Sequence, residues 1–149
     1  MKMRWLRYWA PVLVWAAIIS VMSTRYFGSG YTSRFILPVL HWLMPNAGLA
    51  TLLEMHTYIR KSAHFIEYGI FTFLFMHGLR AGRSGWRWTW VIATMLAVAC
   101  YAALDEFHQA FVPGRGASVW DVALDFSGGM AAMLVLWVWT RRSEARARN

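Results

Sequence analysis

The chain alternates between long apolar stretches and short polar connections. Each apolar stretch is close to the roughly 20 residues that a helix needs to cross a bilayer. The stretches comprise residues 5–23, 62–79, 88–104 and 119–140, and the third continues as a more polar helical segment towards residue 112. This pattern predicts an all-α, polytopic membrane protein, with a bundle of four transmembrane helices that forms a single domain over residues 1–149.

The connection between the first two apolar stretches, residues 24–60, is long enough to hold structure of its own. Within residues 32–44, apolar side chains recur at spacings of three and four, which predicts an amphipathic helix. Pro45, Asn46 and Gly48 interrupt this pattern, and residues 49–58 form a second short helical candidate. Short helices of this kind commonly lie along the membrane interface, so the connection could cap the helix ends or contact lipid as a lid.

The composition agrees with a membrane protein. Hydrophobic residues make up 58% of the chain and charged residues only 15%, whereas a soluble domain carries about a quarter charged residues. The net charge of +8 does not indicate nucleic-acid binding, because the basic residues are divided among the connections and form no continuous stripe. Cys100 is the single cysteine, so no intramolecular disulfide can form.

The basic residues sort by side of the predicted bundle. Ten of them lie before the first apolar stretch, between the second and third, or after the fourth: Lys2, Arg4, Arg7, Arg80, Arg83, Arg87, Arg141, Arg142, Arg146 and Arg148. Only Glu144 accompanies them. Because short cytoplasmic loops are enriched in Lys and Arg, both termini are predicted to be cytoplasmic. A signal peptide is the alternative for the first stretch, but Val21, Met22 and Ser23 match a cleavage site poorly, which favours a retained anchor.

Polar side chains collect towards the outer ends of three of these helices. They are Lys61, His64, Glu67 and Tyr68 in the second, Asp105, Glu106, His108 and Gln109 in the third, and Asp121 and Asp125 in the fourth. Spacings of three and four place most members of each group on one helix face. A rise of about 1.5 Å per residue puts the three groups at a common depth. We therefore expect His64 or Glu67 to approach the polar groups of the third helix, directly or through one water.

Such a cluster has a structural and a functional interpretation. Polar side chains can hold membrane helices together, but ionisable groups there are costly and commonly functional. The first functional hypothesis is a site at the outer leaflet that engages a membrane lipid or a lipid-linked, amphiphilic molecule. Arg115, after a Pro-Gly turn, could bind a phosphate or neutralise Asp121. The candidate ligand-binding residues are Lys61, Tyr68, Gln109, Arg115, Asp121 and Asp125.

The alternative hypothesis is an intramembrane hydrolase or transferase. A histidine would act as general base and a carboxylate would orient it. The candidate catalytic residues are His64, Glu67, Asp105, Glu106 and His108. Ligand type alone would also allow a metal at His64, Glu67, Asp105 and His108, but we predict neither a metal nor another cofactor. A proton- or ion-coupled transporter is disfavoured, because the inner halves of the helices are almost devoid of ionisable groups.

Two motifs resemble those of a known family. Residues 61–68 read Lys-Ser-Ala-His-Phe-Ile-Glu-Tyr, and residues 105–109 read Asp-Glu-Phe-His-Gln, followed by Phe-Val-Pro-Gly-Arg at 111–115 and by Asp121. These motifs resemble the VanZ-like family of bacterial membrane proteins over about residues 60–129. One departure is Asp125, where the family commonly has Asn. The resemblance implies a multi-pass protein of the bacterial inner membrane with a cell-envelope role. Through the family's founding member it also implies antibiotic resistance, in the form of altered susceptibility to the glycopeptide teicoplanin.

Overall fold

The computed structural model describes residues 2–147, and their side chains from residue 5 onward. The side chains of Lys2 and Arg4, and the whole of Arg148, which contributed to the topology prediction, lie outside this part. The helices are α1 (Lys2–Met22), α2 (Ser29–Leu43), α3 (Leu49–Arg80), α4 (Trp88–Gln109) and α5 (Val119–Arg146), with a 3-10 turn at Arg25–Phe27. Residues 2–147 contain no strand, so the all-α class is confirmed.

Helix α3 differs from the prediction. The second short helix expected at residues 49–58 and the apolar stretch at 62–79 form one continuous helix of 32 residues. No Gly or Pro lies between residues 58 and 62, and Arg60 and Lys61 are good helix formers, so nothing in the sequence ends the helix there. At about 1.5 Å per residue the helix is about 48 Å long, which exceeds the hydrocarbon thickness of a bilayer by more than half.

Three helices of the described chain are long and apolar enough to cross a membrane. They are the segments Trp5–Met22 in α1, Trp88–Gln109 in α4 and Val119–Arg146 in α5. Helix α3 is the longest of all but falls short on composition, because His64, Glu67 and His77 interrupt its apolar stretch. Polar residues within α3 therefore lower its mean hydropathy, which is the quantity that identifies a membrane-spanning helix.

The closest helix packing joins α3 to α5, through glycines. A Cβ atom added at Gly128 would overlap the carbonyl oxygen of Phe65 and lie 2.9 Å from its carbonyl carbon. A Cβ at Gly129 would lie 2.9 Å from the Thr72 hydroxyl oxygen. Gly69 faces Gly128 from the α3 side. Small residues let two helix backbones approach closely where no hydrophobic driving force is available, so the glycines allow this close crossing of the bundle.

The bundle is antiparallel, and its two ends differ chemically. At one end, Arg80 donates a hydrogen bond of 2.9 Å to the Thr140 hydroxyl. The ring of Tyr8 packs on His77 at the same end, with ring centroids 5.4 Å apart. The start of α1, the α3–α4 connection and the last turns of α5 are therefore neighbours. The Arg-rich segments of the described chain gather there, whereas the acidic residues of α4 and the first turns of α5 lie at the other end.

Helix α2 packs against the first half of α3. The Thr32 hydroxyl and His56 Nε2 are 2.9 Å apart, and Leu40 is buried between the two helices. The opposite face of α2 is apolar and exposed, with Phe35 and Trp42 each more than three-quarters exposed. His56 is therefore a buried polar contact between α2 and α3.

Candidate functional site

The glycine crossing brings a histidine to a buried carboxylate. His64 immediately precedes Phe65 in α3, and Asp125 lies three residues before Gly128 in α5. Because the two backbones touch at Phe65 and Gly128, the His64 Nδ1 and Asp125 Oδ1 atoms are only 3.6 Å apart. Asp125 is fully buried, and neither of its carboxylate oxygens has a hydrogen-bond partner among the described residues. The close packing of small residues thus holds a histidine against a buried carboxylate.

Asp105 of α4 is the second buried carboxylate of the site. One of its oxygens accepts a hydrogen bond from the Ser23 hydroxyl, and the other accepts one of 3.0 Å from the Gln109 side-chain amide. Gln109 Nε2 also lies 3.3 Å from the Ser23 hydroxyl oxygen. The sequence analysis missed Ser23 as a site residue. The available signal was its position as a polar residue at the outer end of an apolar helix, at the depth of the other polar groups.

The connection between α4 and α5 closes one end of the site. Gly114 has φ of 80°, a conformation that favours glycine, and it turns the chain so that Arg115 points back towards the bundle. Arg115 donates a hydrogen bond to the Met22 carbonyl oxygen, which no longer has a helical partner. Glu106 accepts a hydrogen bond of 2.8 Å from the backbone N–H of Ser118, the residue that caps α5. Both contacts fix the connection to helix ends.

Arg115 is a partly buried cation with unused donors. Its Nε and one terminal nitrogen are buried and make no hydrogen bond within the described chain. Burial, reinforced by the nearby charge of Arg60, lowers the pKa of Arg115 from its ordinary value. A guanidinium remains protonated in proteins, so Arg115 is a cation whose unpartnered donors suit an anion.

A polar pocket and an apolar groove meet at this site. The pocket has a volume of about 120 Å³, and its lining includes Arg60, Lys61, His64, Gln109, Arg115 and Asp121. Lys61 Nζ lies 3.5 Å from Asp121 Oδ1 at the pocket rim. A groove of similar volume continues from it, lined mainly by Met22, Phe27, Ile36, Ile59 and Ala63. Arg60, His64 and Arg115 line both cavities. Charged and apolar walls are therefore contiguous.

The structure brings together nearly all of the residues that the sequence singled out. Glu67 and Tyr68 are buried on α3 beside the site, and Glu67 also lines the apolar groove. The Tyr68 hydroxyl has no hydrogen-bond partner among the described residues. His64 offers a ligand atom within 4.8 Å of Asp105, a separation that one water can bridge. The expected approach of α3 to the polar groups of α4 is therefore met at His64.

His108 is the exception. The sequence analysis placed it on the same face as Asp105 and made it a candidate base and metal ligand, but it is exposed and lines neither cavity. Successive helix residues turn by about 100°, so Glu106 and Gln109 lie to one side of Asp105 and His108 lies about 60° to the other. The side of α4 that carries Glu106 and Gln109 is buried, whereas the side that carries His108 is exposed. The histidine that meets the carboxylates is His64 alone, and Asp125 takes the place expected for His108.

The described site pairs a histidine with a carboxylate, and no serine or cysteine nucleophile is hydrogen-bonded to that histidine. A general base next to a carboxylate is present as His64 and Asp125. Within residues 5–147, however, no serine hydroxyl or cysteine thiol is hydrogen-bonded to a histidine, and Cys100 is exposed on α4. A nucleophile activated by a base is the signature of covalent catalysis, and within residues 5–147 the hydroxyl that meets a histidine is that of Thr32, 2.9 Å from His56 Nε2.

Comparison with known proteins assigns the family. The family model described as VanZ/LLP1 matches residues 8–140. This chain belongs to the VanZ/LLP1 family. The match is wider than the motif resemblance at 60–129, and it includes α1 from residue 8 onward and the whole of α2. Ser23 and Met22 therefore lie within the VanZ-like region, together with the motif residues that they contact. No curated protein and no solved structure matches this VanZ-like chain.

Proposed function

We propose that this VanZ-like protein binds the anionic head group of a lipid-linked or amphiphilic envelope molecule at the outer leaflet of the bacterial inner membrane. In this proposal α1, α4, α5 and residues 62–79 of α3 span the bilayer, and both termini are cytoplasmic. The observation that carries the proposal is the junction of the polar pocket, which contains the cations Arg60 and Arg115, with the apolar groove.

The two cavities match the two parts of an amphiphile. Arg60, Lys61 and Arg115 line the polar pocket, which has a volume of about 120 Å³, sufficient for a phosphate or carboxylate group. Guanidinium groups bind such anions through paired hydrogen bonds, and Arg115 has free donors for this purpose. The adjoining groove is mostly apolar and would hold the first carbons of a hydrocarbon chain.

Helix α2 supports the outer-leaflet placement. One face packs on α3, and the other exposes Phe35, Val39, Trp42 and Leu43. An exposed apolar face on a short helix is typical of a segment that lies in the membrane interface. In that position α2 would form one wall of the groove, through Ile36, and would guide an amphiphile from the leaflet into the site. We further propose that this is how the protein would influence glycopeptide susceptibility, by engaging a lipid-linked envelope molecule.

The topology can be tested with reporter fusions. We expect a reporter inserted in the Arg83–Gly85 region to be active only as a cytoplasmic fusion, and one inserted at Gly116 only as an external fusion, because the Arg-rich end of the bundle should remain inside. The measurement is the paired activity of a periplasm-dependent and a cytoplasm-dependent reporter at both positions. An external Arg83–Gly85 connection would contradict the four-span topology.

Binding can be tested with the purified full-length protein in lipid nanodiscs. We expect a short-chain phosphatidylglycerol to bind more tightly than the matching phosphatidylcholine, because only the former has a net negative head group. Arg60→Gln should weaken phosphatidylglycerol binding about fivefold, equivalent to about 1 kcal/mol for a partly exposed ion pair. Arg34→Gln is the matched control, because Arg34 is exposed on α2 and lines neither cavity.

The same experiment separates the binding and enzyme hypotheses. Recovery of intact phosphatidylglycerol after prolonged incubation is expected for a binding protein. Release of the head group would favour the hydrolase or transferase alternative. Equal affinity for the two lipids, or an equal effect of Arg34→Gln and Arg60→Gln, would show that the pocket does not select an anionic head group.

A further inference from the structure

The buried group Asp125 is not explained by head-group binding. An anion at this position repels another anion, and a carboxylate buried without hydrogen bonds is one of the costliest groups in a protein. Both Asp125 oxygens are buried without a hydrogen-bond partner in the described chain, and so is His64 Nδ1, which faces them. Asp125 therefore requires a cation, a proton or water that the protein alone does not supply.

We propose that His64, Asp105 and Asp125 bind a first-row divalent transition metal ion. Each residue offers one ligand atom, and these atoms all lie within 4.8 Å of one another. Ligand atoms that share a tetrahedral ion at about 2.1 Å are about 3.4 Å apart. His64 Nδ1 and Asp125 Oδ1, at 3.6 Å, already have this spacing. A small movement of the Asp105 carboxylate completes the set.

The chemistry of the ligands agrees with this class of ion. One imidazole and two carboxylates suit Zn²⁺ and its neighbours better than Ca²⁺ or Mg²⁺, which take mainly oxygen ligands. The two aspartates balance the charge of a divalent ion. A protonated His64 would supply a single positive charge, which offsets only one of the two carboxylates that lie near it.

The surroundings resemble those of an oriented metal ligand. Asp105 is held by Ser23 and Gln109, and both hydrogen bonds leave lone pairs on its carboxylate free. Such outer contacts fix the orientation of a metal ligand and tune its affinity. His64 also lines the polar pocket, which gives an ion a route of entry and leaves a coordination position that faces the pocket.

The test uses the full-length protein, freed of any affinity tag, stripped with a chelator and equilibrated with Zn²⁺. We expect one Zn²⁺ per chain by elemental analysis. His64→Gln and Asp125→Asn, each close in shape to the parent residue, should each lower the Zn²⁺ affinity by at least about tenfold, since even outer-shell changes cost that much. Exposed residues provide matched controls: His108→Gln and Glu54→Gln should keep the parent affinity.

A second measurement covers variants that fold poorly. Zn²⁺ should raise the unfolding temperature of the parent and of the His108→Gln protein, because an ion that binds only the folded state stabilises that state. It should not raise that of Asp125→Asn. Co²⁺ bound to the parent should show the visible absorption of tetrahedral cobalt. A parent that binds no stoichiometric Zn²⁺, or equal binding by all five proteins, would overturn the proposal.

The metal proposal does not depend on the proposed function. Loss of phosphatidylglycerol selectivity with retained stoichiometric Zn²⁺ would remove the head-group proposal and leave the metal site. Selective lipid binding by a protein that binds no Zn²⁺ would remove the metal site and leave the head-group proposal. A proton or a buried water would then have to satisfy the Asp125 carboxyl group.

Discussion

Gly128→Ala is expected to destabilise the protein by about 2 kcal/mol or more, although it adds a single methyl group to a helix. The new Cβ would overlap the Phe65 carbonyl oxygen, and it would lie 2.9 Å and 3.0 Å from the Phe65 carbonyl carbon and Cα. These are backbone atoms, which cannot rotate away as the end of a side chain can. Helices α3 and α5 must therefore separate, and separation weakens the closest packing in the bundle.

The measurement is the unfolding of purified parent and variant in the same detergent, followed by helical circular dichroism. Gly30→Ala is the matched control, because Gly30 also lies in a helix but has no atom within 4 Å of an added Cβ. There, replacing Gly with Ala should be neutral or stabilise by up to about 1 kcal/mol, through better helix propensity. Equal unfolding of parent and Gly128→Ala protein would mean that α3 and α5 do not cross at this glycine.

The same crossing explains how a packing feature becomes a functional one. His64 and Asp125 are adjacent to, and one turn before, the residues that touch, so their 3.6 Å separation depends on the absence of a side chain at Gly128. We expect Gly128→Ala to weaken Zn²⁺ binding as well as stability, even in detergents in which the variant stays folded. A functional site in this bundle is thus positioned by residues that carry no chemistry of their own.

Much of the fold could be read from the sequence because its signals are local. The start of α4 at Trp88 and that of α5 at Val119 coincide with the predicted starts of apolar stretches. Pro45, Asn46 and Gly48 separate α2 from α3, as predicted. The exception is α3. Its amphipathic first half and its apolar second half differ in composition, and composition suggested a boundary, whereas the backbone continues wherever no residue breaks it.

The sequence identified most residues of the candidate site, but it did not identify which of them contact each other. Charge in an apolar helix is visible in the sequence, so Glu67, Asp105 and Asp125 could be identified. Helical spacing defines a face only to within about 60° on either side. Gln109 and His108 are on opposite sides of Asp105, and only the position of the neighbouring helices decides which of them is buried. Ser23 was missed because its only sequence signal, a polar residue at the end of an apolar helix, is weak without its tertiary partner Asp105.

Arg115→Gln is expected to weaken phosphatidylglycerol binding about 30-fold or more, which corresponds to the loss of about 2 kcal/mol for a charged group that hydrogen-bonds an anion. The effect should exceed that of Arg60→Gln, because two nitrogens of the Arg115 guanidinium are buried without a hydrogen-bond partner in the described chain. Arg115→Lys should recover only part of the affinity, since an ammonium keeps the charge but cannot form two parallel hydrogen bonds to one anion.

Arg115 also holds the Met22 carbonyl, so the test must separate binding from folding. Affinity should be measured by titration of nanodisc-embedded protein, at a temperature where parent, Arg115→Gln and Arg115→Lys proteins all retain their helical signal. Arg25→Gln is the control, because it removes a positive charge from the same end of the bundle at an exposed position. A folded Arg115→Gln protein with parental affinity would show that Arg115 serves only to fasten the α4–α5 connection to α1. The proposed anion site would then have to rest on Arg60 and Lys61, whose more exposed charges can supply only a weaker, salt-sensitive attraction.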